Sequence, residues 1–227
     1  MGSFRADRFD CFVFDCDGVI LDSNGVKSRA FHAAVRDFGE DRARALVEYH
    51  QARGGETRQA KFAYFVESIL GRSLDDERAL VERLVARFGE ICREELRTCR
   101  TIPGVEAFLE ALPPGSRRFV VTGGAQDEVR ALLSERKLDG FFDLVLGNPA
   151  SKLENMEQLA GDGAFEGRGV YFGDAELDLE LAERFALDFV YVSGASEWAA
   201  GPERCADRSI VDFRALAPSP RGTEGDR

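Results

Sequence analysis

From residue 117 onward the sequence alternates short apolar runs with amphipathic stretches, and nothing else in it constrains the fold so tightly. RRFVVTG (117–123), FDLVLG (142–147), GVYFGD (169–174) and DFVYVSG (188–194) read as strands. Residues 126–136, 153–159 and 177–185 read as helices, and 209–213 as a short last strand. Repeated strand–helix alternation implies α/β architecture with a doubly wound parallel sheet. An earlier run, CFVFDCD (11–17), is aromatic and β-branched almost throughout, as suits a strand buried on both faces. Between it and residue 117 the texture is helical. Apolar positions recur every three or four residues in FHAAVRDF, KFAYFVESIL and ALVERLVARFGEI; Gly54-Gly55 breaks the block and Ile102-Pro103-Gly104 closes it. The expected organisation is a Rossmann-like core from residues 1–23 and 101–216, an inserted α-helical cap over 24–100, and a disordered Pro-, Gly- and Ser-rich tail over 217–227.

Composition narrows the function classes. The formal net charge is -11 over 227 residues, which opposes binding to nucleic acid or anionic membranes. An anionic substrate would need a local positive site or a metal ion. The five cysteines are odd in number and irregularly spaced, with no CxxC pair, so zinc has little support. Residues 1–10 are polar and lack the apolar centre of a signal peptide, and no apolar run reaches bilayer length. A reducing, cytoplasmic setting is the expectation.

In a doubly wound sheet, ligands bind beyond the carboxyl ends of the strands. The first strand delivers Asp15 and Asp17 there. The second delivers Thr122, with Gly123 and Gly124 behind it. The loop after the third carries Asn148 and Lys152, and the fourth delivers Asp174, with Asp178 one turn further on. Asp15, Asp174 and Asp178 in one crevice would repel one another unless a hard divalent cation joined them, and magnesium suits a few carboxylates plus phosphate and water. Lys152, Thr122 and the close backbone of the Gly-rich turn can hold non-bridging phosphoryl oxygens. Asp15 is ionised at neutral pH and needs no base to act as a nucleophile. Asp17, two residues on, could protonate a leaving oxygen and later activate water.

These residues resemble the motifs of the haloacid dehalogenase superfamily. DCDGVILDS (15–23) is similar to its first motif, VVTGG (120–124) to its second and GDAELD (173–178) to its fourth, with Lys152 at the place of the third motif's lysine. The resemblance implies Asp15 as nucleophile, Asp17 as acid and base, and Thr122, Gly123 and Lys152 around the phosphate. It implies magnesium held by Asp15, the backbone carbonyl of Asp17 and Asp174, with Asp178 binding or supporting it. Leu153 departs from the proline that often follows the motif lysine, and Lys137 is the nearest rival. DGVILDSNGVKSRAFHAAV, EYHQARGGETRQAKFAYF and TGGAQDEV further resemble a subgroup associated with sugar-nucleotide and surface-polysaccharide pathways.

The implied activity is magnesium-dependent hydrolysis of a small phosphate ester, such as a sugar or sugar-acid phosphate, through an aspartyl phosphate on Asp15. A phosphomutase would use the same site. A non-catalytic regulator is disfavoured because the chemical side chains are all present, and dehalogenation because the fourth motif is acidic. His32 and His50 read as ordinary cap residues, and Phe62, Tyr64 and Phe65 as helix core. Trp198 suggests no partner. Arg53, Arg58 and Lys61, around the Gly54-Gly55 break, are the candidates for choosing the substrate.

Overall fold

The computed structural model describes residues 4–216. Six parallel strands form one sheet: β1 (Cys11–Phe14), β2 (Arg117–Ala125), β3 (Leu144–Asn148), β4 (Gly169–Gly173), β5 (Asp188–Val192) and β6 (Ser209–Ile210), in the spatial order β3-β2-β1-β4-β5-β6. The chain winds outward from β1 in one direction and then returns to wind in the other. The crevice beside β1 is therefore a switch point of the topology, where such sheets bind ligands.

All four β1 side chains have zero exposure, which is why this strand reads as a continuous apolar run. They still alternate. Phe12 and Phe14 join the cluster on one face, with Val120, Phe172 and the helices α5 (Val105–Glu110) and α6 (Gln126–Glu135). Cys11 and Val13 join the other, with Val121, Tyr171 and the helices α7 (Lys152–Gly161) and α8 (Glu176–Arg184). The sheet is covered on both faces, as parallel sheets require.

Between β1 and β2 lie α1 (Asn24–Val35), α2 (Glu40–Ala52), α3 (Arg58–Tyr64) and α4 (Leu74–Thr98). They pack around a separate apolar cluster that includes Phe31, Phe62, Phe65 and Phe88. The chain enters and leaves this unit side by side: the Asp22 amide donates to Arg100 O at 2.8 Å and the Ile102 amide to Ile20 O at 2.9 Å. Phe62 and Phe65 are core side chains, while Tyr64 stacks on Tyr49 with ring centroids 3.6 Å apart.

Several boundaries differ from expectation. β3 starts two residues late, because 139–141 form a turn of 3-10 helix before it, and β6 keeps only Ser209 and Ile210. The helix α5 was not anticipated. Ile102-Pro103-Gly104 reads as a stop, yet Gly104 sits at φ +82 and leads straight into a new helix. A side chain there would meet the backbone of Arg214 at 2.5 Å, so glycine also permits the close approach of residues 213–214. Among the described residues no helix is long and apolar enough to cross a membrane. The tail expected to be disordered, 217–227, lies outside the described residues.

Candidate active site

The strand ends bring the expected residues together. Asp15 follows β1 directly; its amide donates to Phe172 O (2.9 Å) and its Oδ1 accepts from the Cys16 amide (2.7 Å). Thr122 is fully buried in β2, where the pairing with β3 shifts register, and its Oγ1 accepts from the Gly124 amide at 3.0 Å. Asp174 follows β4. Oxygens of Asp15, Asp174 and Asp178 lie within 4.8 Å of one another, and all three residues are buried. Lys152 opens α7 behind a reciprocal cap in which Ser151 and Glu154 satisfy each other's backbone amides. Its Nζ lies 3.0 Å from Asp15 Oδ1 and 2.6 Å from Asp178 Oδ1. The rival Lys137 is exposed on the turn after α6.

Three buried carboxylates face one ammonium, and the imbalance perturbs them. Burial pushes the Asp15 carboxyl up to about 7, with Asp178 and Asp17 adding to the effect and Lys152 opposing it. Burial, then Asp15 and Asp178, hold Asp174 well above the usual carboxylate range. Burial works against the charge of Lys152, but Asp15 and Asp178 outweigh it and keep the ammonium ionised. An all-oxygen, buried donor set with surplus negative charge is the chemistry that fits a hard divalent cation. The three carboxylates are not equivalent. Asp178 already accepts from Lys152 (2.6 Å), the Tyr171 hydroxyl (3.1 Å) and the amides of Asp174 and Ala175 (3.2 Å each). It is saturated and fixes its neighbours, whereas Asp15 and Asp174 have capacity to spare. Gly18 is at φ +76, and a Cβ there would fall 2.3 Å from Asp174 Oδ2, so no side chain fits beside this cluster.

The Asp17 side chain is not part of the cluster. It pairs with Lys27 of α1 and accepts from Ser23 Oγ at 2.5 Å. Burial raises its pKa, but Lys27 and Ser23 outweigh burial and hold it below the usual range. In this arrangement the pairing with Lys27 opposes the neutral form in which Asp17 would act as an acid.

The helical unit closes over these groups. The 54–55 turn lies against the strand ends: a Cβ on Gly55 would meet Lys152 Nζ at 3.3 Å, and one on Gly123 would meet Gly55 O at 2.3 Å. Beneath it is a cavity of about 90 Å³ lined by Asp15, Asp17, Lys27, Arg58, Lys61 and His50, among others. Of the three cations expected to choose the substrate, Arg58 and Lys61 reach the cavity. Arg53 does not: it terminates α2, is exposed, and pairs with Glu56 at 3.1 Å.

Sequence reasoning missed Lys27, Asn24, His50 and Glu197. Asn24 Nδ2 donates to Asp174 Oδ2 at 2.6 Å, and Glu197, in the loop after β5, accepts from Ser28 (2.7 Å) and Gln51 (3.3 Å). His32 is the surface residue expected, pairing with Glu40 at 3.0 Å. His50 is buried in the cavity wall. Trp198 is buried edge-on against Tyr191, with centroids 5.6 Å apart. A compositional signal was available for the lysines. The chain has 26 arginines and only four lysines, and three of those four, Lys27, Lys61 and Lys152, converge here.

Comparison with known proteins bears on the fold and the family. No curated protein sequence matches the chain. Among solved structures, one described as a predicted phosphoglycolate phosphatase from Haemophilus somnus superposes with a TM-score of 0.69 at 19% identity, over 92% of this chain and 96% of that one. A haloacid dehalogenase-like family protein from Streptococcus pneumoniae gives 0.65 at 14% identity, over 90% and 94%. CbbY from Rhodobacter sphaeroides, solved with phosphate, gives 0.63 at 20% identity, over 90% and 95%. At these identities the likeness is one of fold. The family model described as a haloacid dehalogenase-like hydrolase matches residues 9–185, more than half of the sequence. The chain belongs to the haloacid dehalogenase-like hydrolases.

Proposed function

We propose that this hydrolase is a magnesium-dependent phosphatase of small phosphate monoesters that works through an aspartyl phosphate on Asp15. The observation that carries the reading is the buried cluster of Asp15, Asp174 and Asp178 bridged by Lys152 at the strand ends. Asp15 and Asp174 would hold the magnesium, joined by the backbone carbonyl of Asp17, with Asp178 as support. When bound, the ion would supply charge neutralisation to the phosphoryl oxygens and to Asp15.

The chain's own groups divide the remaining work. Lys152, Thr122 and the backbone around Gly123 hold the phosphoryl oxygens, and Lys152 keeps an oxygen of Asp15 in place. An Asp15 oxygen attacks phosphorus and the bond from phosphorus to the ester oxygen breaks. Asp17 gives that oxygen its proton and the alcohol leaves. The Asp17 anion then takes a proton from water as the water attacks phosphorus. The bond between phosphorus and Asp15 breaks, releasing inorganic phosphate and restoring the Asp15 carboxylate and the neutral Asp17 acid. Asp17 must be protonated to begin, and its pairing with Lys27 opposes this. An entering phosphoryl dianion would add negative charge beside Asp17 and compete for Lys27, and both effects raise the Asp17 pKa.

The helices α1–α4 would act as a cap that excludes bulk water, with the 54–55 turn pressed onto Lys152 and Gly123. The five cysteines are all free, which fits a reducing compartment such as the cytoplasm. Phosphate release from a panel of phosphorylated metabolites, with magnesium and with excess chelator, tests the reading. Magnesium-dependent release that disappears in Asp15→Asn is expected, and full activity in chelator would reject it.

A further inference from the structure

Three cations line the cavity above Asp15, and two of them are already neutralised. Lys27 is paired with Asp17, and Arg58 Nη2 lies 2.8 Å from Glu128 Oε1. Lys61 is 2% exposed, yet among the described residues it has no carboxylate within 4.0 Å. Its Nζ donates to His50 Nδ1 at 2.7 Å and to His50 O at 3.4 Å, and lies 5.6 Å from the centre of the Phe31 ring. With Nδ1 accepting from the ammonium, the His50 proton must sit on Nε2. That atom has no hydrogen-bond partner and faces Glu197 Oε2 at 3.9 Å. Arg58 Nε is likewise buried and unpartnered. A buried ammonium without a counter-charge is costly, and removing the charge is the usual escape. A ligand that brings the counter-charge is the other.

Resting on the phosphatase reading above, we propose that Lys61, assisted by Arg58, holds a carboxylate of the substrate while its phosphate group lies at Asp15, so that the substrate is a phosphorylated acid and a proton enters the Lys61–His50 pair as it binds. One unpaired positive charge matches one carboxylate. A second phosphate would bring two further charges into a cavity that Asp17, Glu56 and Glu128 also line.

The proton follows from the surroundings of the amine. Burial, then Lys27 and Lys152, push Lys61 down, with Glu56 and Asp17 opposing, to about 7. Burial, Lys61 and Lys27 hold His50 well below its usual range. Arg58 from α3, Glu128 from α6 and Glu197 complete the charged groups nearby. The charged form of the pair is therefore disfavoured in the empty cavity, and an entering carboxylate favours it.

The test compares phosphorylated hydroxy acids of different lengths, each with the alcohol phosphate in which CH2OH replaces the carboxylate. The readout is the ratio of kcat/KM for acid over alcohol. The two rates come from one sample, so the ratio is independent of how much enzyme is correctly folded. The wild type should favour at least one acid by about tenfold or more, the size of a hydrogen bond between charged groups. That preference should fall as pH rises through about 7, because kcat/KM reports the free enzyme. Lys61→Met should bring the ratio near one and make it insensitive to pH. Ionisations of the phosphate, Asp15 and Asp17 act on both members of a pair and cancel. A wild-type ratio near or below one for every pair, or a preference that survives Lys61→Met, overturns the carboxylate assignment. A wild-type preference flat between pH 6 and 9 overturns the proton uptake. Release of phosphate from neither member of any pair overturns instead the phosphatase reading on which this one rests.

Discussion

The substitution Gly123→Ala tests whether the closed arrangement of the helical unit is the reacting one. A Cβ at Gly123 would lie 2.3 Å from Gly55 O, 3.0 Å from Gly55 C and 3.2 Å from Glu56 O. All three are backbone atoms of the turn before α3. A carbon–oxygen contact relaxes near 3.3 Å, so the turn must retreat by about 1 Å. Residues 117–121 of β2 are paired with β1 or β3, so the turn is expected to give more than the strand. Retreat of the turn would carry Arg58 and Lys61 with it and lift Gly55 from Lys152. A misplacement of about 1 Å at a reacting centre can lower the rate about a hundredfold. The assay is kcat/KM with an aryl phosphate beside unfolding followed by circular dichroism. Gly140→Ala is the control, because a Cβ there meets nothing within 4 Å. The expected result is a large loss of kcat/KM with the cooperative unfolding transition retained. Unchanged kcat/KM in Gly123→Ala would refute the claim that this contact forms during turnover.

Asp178→Asn places a donor where the carboxylate now only accepts, opposite Lys152, Tyr171 and two amides; thermal unfolding should show a loss of about 1–3 kcal/mol alongside lost activity. Lys61→Met should raise the melting temperature. The folded pKa of Lys61 is depressed, so between about 7 and its unfolded value of 10.5 the unfolded chain binds more protons and native stability rises with pH. The gain from Lys61→Met should therefore be largest below pH 7 and fade toward pH 10, as melting curves across that range would show. Calcium in place of magnesium should inhibit, because it accepts more oxygens at longer distances and could engage both oxygens of Asp15; phosphate release with each metal measures this.

The core of the site was legible because strand ends announce themselves. Four apolar residues followed by Asp15 and Asp17 have few other readings, and Lys152 was placed just after the third strand, one residue ahead of the helix that it in fact opens. What stayed hidden depends on contacts that sequence spacing does not encode. Lys27 meets Asp17 across ten residues, and Glu197 meets Ser28 across 169. Helical spacing did separate the cap cations in principle. Arg58 and Lys61 lie one turn apart on one face of α3, while Arg53 precedes the break and ends another helix. The buried state of Lys61 was not visible, since a lysine in a polar stretch reads as solvated until the chain is folded around it. The same holds for His50, whose neighbours Phe31, Lys61 and Glu197 come from α1, α3 and the loop after β5.

The central claim is that Asp15 carries the phosphoryl group between two displacements. The most direct test is the steric course at phosphorus, using a phosphorothioate ester made chiral there with two oxygen isotopes and hydrolysed in water of the third. Each in-line displacement inverts the configuration, so attack by Asp15 followed by attack of water predicts overall retention in the released thiophosphate. Inversion would mean that water attacks the ester directly, and Asp15 would then not be the nucleophile.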